Sequence, residues 1–280
     1  MIISVASGKG GTGKTTIAVN LALTLKEAVP IQFLDCDVEE PNAHFFLKPH
    51  IDQSQTVYLP IPEIQEDRCT YCGKCAEICA YNALAVLKDT VLVFPELCHG
   101  CGGCTLLCPE EAIHEKGHRI GIIELGTANS ISFVHGKLDI GQAMSPPLIR
   151  AVKNKIRADF TVIIDAPAGT SCPVVESVKG SDLSLLVTEP TPFGLNDLKL
   201  TVETLKELQI SLAVIVNRSD GEDRLIRKYC QEQNISILLT IPMDRTIAEA
   251  YSEGKTIIET QTSYKDKFLT LFEQAQTLIQ

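Results

Sequence analysis

Residues 8–16 read Gly-Lys-Gly-Gly-Thr-Gly-Lys-Thr-Thr, and the prediction of the fold starts from them. This stretch follows the β-branched run Ile2–Ala6 and precedes a helical pattern over Thr15–Glu27, so it joins a predicted strand to a predicted helix. In that context Gly-x4-Gly-Lys-Thr indicates a phosphate-binding loop, because glycines let backbone N–H groups turn inward around phosphate oxygens at a helix N-terminus. Lys14 would then reach the β- and γ-phosphates, and the Thr15 hydroxyl would ligate Mg²⁺.

Beyond this loop the chain alternates short apolar runs with amphipathic helical stretches, which is the pattern of a parallel sheet with crossover helices. The predicted strands are Ile2–Ala6, Ile31–Leu34, Ile120–Leu125, Phe160–Ile164, Leu183–Thr188, Leu212–Val216 and Ile235–Leu239. The predicted helices are Thr15–Glu27, Pro147–Ala158, Asn196–Leu208, Arg224–Gln233 and Tyr264–Ile279. Near-continuous apolar runs suit strands covered on both faces. The sequence therefore predicts an α/β fold with a mostly parallel sheet.

Two acidic segments fall at the ends of predicted strands, where open α/β sheets bind their ligands. The first runs from Asp35 to Asn42, and the second runs from Asp165 to Gly169. Asp165 follows an apolar strand, which suits second-shell binding of Mg²⁺. Asp37 is placed to orient or activate an attacking water. The alternative is that either aspartate only caps a helix or stabilises a turn.

With Lys9 near its start, the loop at residues 9–16 resembles the deviant Walker A motif of the MinD/ParA-type ATPases. This superfamily includes the nitrogenase iron protein and Mrp-type iron–sulfur carriers. The two acidic segments resemble the family's two switch regions. Asn217 and Arg218, which follow a predicted strand, are similar to the family's adenine-reading segment. The resemblance covers essentially the whole chain.

The resemblance implies ATP and Mg²⁺ as ligands and an ATP-dependent homodimer with the nucleotide between its subunits. The lysine that matches Lys9 reaches the partner's phosphates, where a cation stabilises charge on the transferring phosphoryl group. The predicted catalytic residues are Lys9, Lys14 and Asp37, and the predicted Mg²⁺-binding residues are Thr15 and Asp165. The predicted ATP-binding residues are Gly8, Lys9, Gly10, Gly11, Thr12, Gly13, Lys14, Thr15, Thr16, Asn217 and Arg218.

Eight of the eleven cysteines fall into two runs of one spacing. Both runs read Cys-x2-Cys-x2-Cys-x3-Cys, and the second begins 29 residues after the first. This repeat is the ligand pattern of a bacterial-type ferredoxin with two [4Fe–4S] clusters, in which the fourth cysteine of each run ligates the other cluster. The ligands predicted for one cluster are Cys69, Cys72, Cys75 and Cys108. Those predicted for the other cluster are Cys79, Cys98, Cys101 and Cys104.

Zinc is the alternative metal, because Cys-x2-Cys pairs also build tetrahedral sites with four sulfur ligands. Zinc motifs usually separate two such pairs by a longer spacer. Two complete four-cysteine repeats therefore favour iron–sulfur clusters over zinc.

The cysteine block begins after Pro60-Ile61-Pro62, where a helix or a central strand is disfavoured, and it ends near Gly117. We interpret it as an α+β ferredoxin domain inserted into the nucleotide-binding domain. The predicted division is 1–59 for the first part of the ATPase domain, 60–118 for the ferredoxin domain and 119–280 for the rest of the ATPase domain. Helical stretches are predicted over Ala76–Ala83 and Thr105–Ala112.

Composition excludes several classes of function. The chain of 280 residues carries a net charge of −10, which argues against non-specific binding of nucleic acid. The apolar run at Met1–Ala6 is too short for a secretory signal, and no stretch approaches the roughly 20 apolar residues that span a bilayer. The amphipathic C-terminal segment is not basic, so no membrane anchor is evident. Clustered cysteines without an export signal indicate metal ligands in a reducing cytoplasm.

Three functions fit these motifs. The first is an ATPase whose nucleotide state controls electron transfer through two [4Fe–4S] clusters to an acceptor protein that the sequence does not identify. The second is an ATPase that carries or assembles iron–sulfur clusters and passes them to other proteins. The third is a MinD-like positioning or scaffold ATPase in which the ferredoxin domain is structural or sensory.

Overall fold

The computed structural model describes residues 1–279 of the chain. Its strands within this range are β1 (Ile2–Ser7), β2 (Ile31–Asp35), β3 (His50–Ile64), β4 (Leu84–Val86), β5 (Val91–Val93), β6 (Ile113–Ala128), β7 (Ile131–Leu138), β8 (Thr161–Ala168), β9 (Leu183–Thr188), β10 (Ser211–Ser219) and β11 (Ile237–Pro242).

The α-helices connect the strands and cover both faces of the main sheet. They are α1 (Lys14–Leu25), α2 (Ala43–Leu47), α3 (Lys74–Ile78), α4 (Gly103–Leu106), α5 (Pro146–Lys153), α6 (Cys172–Val178), α7 (Pro192–Glu207), α8 (Arg224–Glu232), α9 (Arg245–Ser252), α10 (Ile257–Thr260) and α11 (Tyr264–Ile279). Every helix within residues 1–279 is too short or too polar to cross a membrane.

The main sheet has the strand order β11-β10-β9-β1-β8-β2-β7-β6-β3. Neighbours from β11 to β7 pair in parallel, whereas β6 pairs antiparallel with both β7 and β3. All residues of β2 and β9 are buried, as expected for central strands covered on both faces. The prediction of an α/β fold with a mostly parallel sheet is confirmed.

Alternating residues of the strands pack into separate layers of the core on the two faces of the sheet. On one face, α1 and α11 pack over side chains such as Leu185 and the pair Phe33 and Phe133, whose rings stack with centroids 6.1 Å apart. On the other face, α6, α7 and α8 cover residues that include Leu186, while α5 covers the neighbouring strands β2 and β7. Because successive side chains of a strand point to opposite faces, Leu185 and Leu186 belong to different layers.

The predicted elements outside the cysteine block agree with the observed ones, apart from shifts at their ends. Ile120–Leu125 was expected to be a short strand, but it lies inside the 16-residue strand β6. Strands β3 and β7 were not predicted. In β3 most side chains between His50 and Tyr58 are exposed on both faces, so the apolar alternation that reveals a strand is weak there. In β7 the buried positions include His135 and Gly136, which are not typical strand residues.

Strands β3 and β6 form a ribbon that extends beyond the parallel sheet. The β3–β6 pairing runs from His50 opposite Thr127 to Ile64 opposite Ile113, but β6 pairs with β7 only from Gly121 onward. The prolines that precede the cysteine block lie in β3, which is the edge strand of the sheet, where a missing N–H is tolerated. Residue 60 lies inside β3 and residue 118 lies inside β6, so both predicted domain boundaries fall within the ribbon. The division into domains stays a prediction.

The cysteine block has an internal pseudo-twofold that follows its 29-residue repeat. The pairing of Ile64 with Ile113 at the end of the ribbon is repeated by Val93 with Leu84 in the β4–β5 pair. Left-handed backbone angles also recur at equivalent positions, namely Tyr71 and Gly100, Gly73 and Gly102, and Asn82 and Glu111. The helices predicted to follow each run are wrong in extent, because α3 and α4 begin inside the runs and end before the fourth cysteine.

Truncation of Phe133 tests the packing of the sheet against α1 and α11. Phe133 is fully buried against Phe33, so Phe133→Ala is expected to lower the free energy of unfolding by about 3–5 kcal/mol. The measurement is anaerobic urea denaturation followed by circular dichroism. The control Phe193→Ala removes a side chain that is 80% exposed and is expected to change stability by less than about 0.5 kcal/mol. Equal losses in the two variants would contradict this account of the core.

Candidate functional site

The glycine-rich loop joins β1 to α1, as the sequence predicts. The helix begins at Lys14, and Gly13 precedes it with a left-handed φ of 96°. A Cβ atom at Gly13 would collide with the side-chain amide of Asn217, so both the backbone angle and the packing require glycine. Asn217 in turn donates a hydrogen bond of 2.7 Å from Nδ2 to the Thr12 carbonyl oxygen. Asn217, predicted to read adenine, thus also braces the phosphate loop.

A cleft of about 980 Å³ opens at the carboxyl edge of the parallel sheet, above this loop. The predicted site residues that line it are Gly10, Gly11, Gly13, Lys14, Thr15, Thr16, Asp37, Asn217 and Arg218. Three predicted ATP-binding residues, Gly8, Lys9 and Thr12, instead border a small cavity behind the loop. Most of the predicted nucleotide site therefore converges on one cleft.

Lys9 is held by a carboxylate that the sequence analysis missed. Its Nζ lies 2.7 Å from Oε2 of Glu189, and Arg218 Nη1 lies 2.6 Å from Oε1 of the same side chain. Burial acts to raise the pKa of Glu189, but the hydrogen bond and charge of Lys9, together with Arg218, hold that pKa below its ordinary value. Glu189 directly follows the predicted strand β9, so its place at a strand end was a signal that could have identified it.

Two buried carboxylates lie side by side where β2 ends and β8 continues, Asp35 as the last residue of β2 and Asp165 inside β8. Asp35 pairs in register with Asp165, and both side chains are fully buried. Asp35 accepts backbone hydrogen bonds from Asp37, Asn42 and Ala43 at 3.1–3.2 Å, so it organises the acidic segment that follows it. Burial, with repulsion from Asp165, raises the pKa of Asp35 well above its usual range. Asp35 is therefore a structural brace of the first acidic segment.

Asp165 has the character of a cation-binding group. Neither of its carboxylate oxygens has a hydrogen-bond partner among residues 1–279. Burial raises its pKa to about 7, although Thr15 and Lys14 act in the opposite direction. Thr15 lowers this pKa as a neighbouring group, although no hydrogen bond within residues 1–279 joins it to the carboxylate. An orphaned carboxylate beside a threonine hydroxyl fits a Mg²⁺ site, in which the metal charge would replace the proton.

Asp37 and a wall of apolar residues complete the cleft. Burial raises the pKa of Asp37 to about 6, although the charge of Lys14 opposes this shift. A carboxylate that is poised near neutrality at the phosphate end of the cleft suits a group that handles a proton of water. Two lining segments that begin at the last residues of β7 and β11 and continue along the chain were not predicted. They comprise Leu138, Asp139, Ile140, Gln142 and Ala143, and Pro242, Met243, Asp244, Ile247, Ala248, Tyr251 and Ile257.

The structure sorts the eight clustered cysteines into two cavities. One cavity is lined by Cys69, Cys72, Cys75 and Cys108, and the other is lined by Cys79, Cys98, Cys101 and Cys104. Each cavity thus receives three cysteines of one run and the fourth cysteine of the other. Within residues 1–279, no three histidine, cysteine or carboxylate side chains converge closely enough to hold a single metal ion.

Backbone amides point at four of these sulfurs in a repeated pattern. The N–H of Tyr71 donates to Cys69 Sγ at 3.4 Å, and that of Gly100 donates to Cys98 Sγ at 3.5 Å. The fourth cysteines, Cys79 and Cys108, each accept an N–H from the residue four positions later at 3.3 Å. Such N–H groups would also hydrogen-bond to the sulfurs when a metal is bound.

The glycine-rich loop and the cleft at the carboxyl edge of a parallel sheet define a P-loop nucleotide hydrolase. Residues 3–257 match the family model of the CobQ/CobB/MinD/ParA nucleotide binding domain. The chain belongs to this family of ATPases.

Individual relatives agree with the family. An uncharacterized protein of Methanocaldococcus jannaschii is 30% identical over 283 residues, covering 100% of this chain and 98% of that protein. The iron–sulfur cluster carrier protein of Aquifex aeolicus is 23% identical over 278 residues, covering 92% of this chain and 61% of that protein. The septum site-determining protein MinD of Pyrococcus horikoshii, complexed with Mg-ADP, shares the fold with a TM-score of 0.59 at 20% identity, covering 99% of this chain and 96% of that chain.

Removal of the Asp165 charge is expected to have opposite effects on the stability of the nucleotide-free protein and on its binding of nucleotide. Because its pKa is raised from 3.8 to about 7, the folded protein binds a proton that the unfolded chain releases, and this contribution to stability is lost as pH rises from about 4 to about 7. Asp165→Asn is therefore expected to stabilise the nucleotide-free protein by about 1–4 kcal/mol at pH 8 and by less at pH 5. The same variant is expected to lose Mg²⁺-dependent nucleotide binding.

Urea denaturation in EDTA at both pH values measures the stability, and titration calorimetry with MgATP measures binding. Asp159→Asn is the control, because the Asp159 side chain is 66% exposed and pairs with Arg157 at the surface. A stabilisation of equal size at pH 5 and pH 8 would show that charge burial is not its cause.

Proposed function

We propose that the chain is an ATPase that couples its nucleotide state to electron transfer through two [4Fe–4S] clusters held by an inserted ferredoxin domain. The observation that carries this proposal is the sorting of the eight cysteines into two four-thiol cavities, at the end of a ribbon that continues the nucleotide-binding sheet. The cluster ligands would be the two sets of four cysteines predicted from the sequence.

The thiol cavities fit a cluster better than a single ion. A cubane has one iron at each of four corners, so its cysteines surround a volume and do not meet at a point. Both cavities have this arrangement, and the N–H groups that face the sulfurs would stabilise their bonds to iron. Such clusters, when bound, supply one-electron transfer.

The cysteine block also lacks a core of its own. Between residues 65 and 112 the buried residues are Ala83, Leu84, Cys98 and Ala112. So few buried side chains cannot stabilise an independent fold, and small domains of this kind normally depend on a metal or on disulfides. Metal binding would then contribute directly to the folding of the block.

In the nucleotide cleft, the chain's own residues supply binding and charge. Lys14 and the backbone of the loop would hold the phosphates, and Thr15 with Asp165 would hold Mg²⁺, which neutralises charge on the phosphates when bound. Asp37 would accept a proton from the attacking water. Lys9 does not line its own cleft, which supports a role at the phosphates of a second subunit in an ATP-dependent homodimer.

A second candidate function is the delivery of iron–sulfur clusters to acceptor proteins. Two observations favour it. The relative from Aquifex aeolicus is an iron–sulfur cluster carrier protein, and the second cysteine of each run, Cys72 and Cys101, is exposed. An exposed ligand gives an acceptor thiol access to the cluster. The likeness to MinD at 20% identity supports the fold alone. A MinD-like positioning role, in which the ferredoxin domain is structural or sensory, is the third candidate.

Low-temperature electron paramagnetic resonance on anaerobically purified, reduced protein tests the primary proposal. We expect signals from two reduced [4Fe–4S] clusters whose shape or reducibility changes with MgATP. Cys101→Ser is expected to lose one signal and about four irons per chain, whereas Cys230→Ser, which alters a buried thiol of α8, is expected to retain both signals. Two cluster signals that are the same with and without MgATP would argue against coupling to electron transfer and would favour cluster delivery. An assay of cluster transfer to an apo-acceptor would detect delivery.

Lys9→Ala tests the proposed action of Lys9 across a dimer interface. We expect MgATP binding within about threefold of the parent, because Lys9 lies outside its own cleft, and hydrolysis reduced by at least about 10³-fold, the range for a cation supplied in trans. Phosphate release and equilibrium nucleotide binding are the two measurements. Lys228→Ala, which removes a lysine that is 73% exposed on α8, serves as the control. Unchanged turnover in Lys9→Ala would remove Lys9 from the mechanism.

A further inference from the structure

The β3–β6 ribbon leaves the main sheet at one defined bend. Val57 pairs with Gly121 and Tyr58 pairs with Arg119, so Ile120 is an extra residue on β6 at this point. An extra residue of this kind is a β-bulge, which bends the strand that contains it. Beyond the bulge, the β6 residues toward Ile113 pair with β3 and no longer with β7. The direction of the ribbon, and of the cysteine block at its tip, is therefore set at Ile120.

The topology brings this bend to the edge of the nucleotide cleft. Because β6 is antiparallel to β7, the end of β6 that enters the ribbon lies beside the carboxyl end of β7. That carboxyl end continues into the segment Leu138–Ala143, which supplies one wall of the cleft. The bend and the cleft wall are therefore neighbours in space.

Direct contacts join the bend to the wall. The N–H of Asp139 donates to the carbonyl oxygen of Ile120 at 2.9 Å. The guanidinium of Arg119 donates to both oxygens of the Asp139 carboxylate, from Nε at 2.7 Å and from Nη2 at 3.2 Å. A two-point contact between a guanidinium and a carboxylate fixes relative orientation as well as distance.

The wall is also bonded to the first acidic segment. The N–H of Leu138 donates to the carbonyl oxygen of Val38 at 2.9 Å, and Val38 lies between Asp37 and Glu39, which both line the cleft. A short path of hydrogen bonds therefore runs from the phosphate end of the cleft through Leu138 and Asp139 to the bend.

We infer that Arg119 is a positioning residue that transmits nucleotide state to the cysteine block by fixing the bend of the ribbon to the cleft wall through Asp139. Displacement of the segment around Asp37 by MgATP moves Leu138 and Asp139, and Arg119 carries that movement into the ribbon. The inference deepens the proposed function, because it names the regulatory link between its two sites. The side chains of Arg119 and Asp139 are 54% and 34% exposed, so the pair contributes little to stability and can be removed without unfolding the protein.

Hydrogen–deuterium exchange of the full chain tests the link, with Mg²⁺ and a non-hydrolysable ATP analogue present or absent. In the parent protein, nucleotide is expected to change exchange at least about fivefold in the phosphate loop and in peptides covering residues 58–64 and 113–119. In Arg119→Ala, the loop response is expected to persist and the ribbon response to fall below about twofold. Arg119→Lys keeps the charge but loses the two-point contact, and it is expected to give an intermediate response.

Arg157→Ala is the matched control, because Arg157 is also 54% exposed and forms a surface pair with Asp159. It is expected to leave the ribbon response unchanged. The inference is overturned if nucleotide changes exchange in the ribbon of both Arg119 variants as much as in the parent. It is also overturned if nucleotide does not change exchange in the ribbon of the parent protein. The readout does not require clusters. A nucleotide-dependent ribbon without iron–sulfur signals would therefore refute electron transfer and leave the role of Arg119 standing.

Discussion

The placement of two carboxylates inside the sheet constrains the whole nucleotide site. Asp35 and Asp165 pair in register on adjacent strands and are fully buried, so two negative charges would lie side by side where water cannot screen them. Asp35 is partly compensated by three backbone N–H groups, whereas Asp165 has no hydrogen-bond partner in the described part of the chain. Burial raises the pKa of both carboxylates and so favours a proton at this pair in the empty protein, and under the proposed function Mg²⁺ would take its place. Under the proposed function the ligand would complete the site, and a difference of this kind between the empty and the bound protein is what a nucleotide-dependent change requires.

The reversal of strand direction at β6 places the start of the ribbon at the same edge of the sheet as the nucleotide cleft. A sheet that stayed parallel would have placed the next connection at the opposite edge or behind a crossover helix. Because β6 is antiparallel, the ribbon leaves beside the cleft, and the cysteine block lies at the same edge as the nucleotide. The departure of the ribbon beside the cleft thus follows from the antiparallel direction of β6.

Sequence patterns predicted the nucleotide domain well because its signals are local. The phosphate loop lies between a strand and a helix, and strands such as β9 are continuous apolar runs, so both were found from short windows. The grouping of the thiols into two sets was also expected from the sequence, because in two-cluster ferredoxins the fourth cysteine of each run joins the other set, and the two cavities have the same grouping. The finer assignments of ATP, Mg²⁺ and cluster ligands stay predictions.

The features that escaped prediction depend on long-range pairing. Strand β3 is an exposed edge strand rich in polar residues, and it becomes a strand only because β6 lies beside it. The pairing of Arg119 with Asp139, 20 residues apart, depends on a bulge that no local pattern announces. Glu189 acquires its role only when the fold brings Lys9 and Arg218 to it. In each case the residue type was visible, but its partner was not.

A two-stranded ribbon transmits movement to its tip only if the ribbon and the tip are rigid. Isolated hairpins are marginally stable in water, and the block at the tip of this one has few buried side chains to anchor it. A nucleotide-dependent movement of the ribbon would not shift the cysteine block in a fixed direction if the tip were soft, because local unfolding within the block would absorb that movement. Under the proposed function, clusters that bind the two runs together would make the tip rigid, since each cavity takes ligands from both halves of the repeat. The crossed ligation would therefore serve the mechanical coupling as well as the chemistry, because filled cavities would pass a movement of the ribbon on to the whole cysteine block.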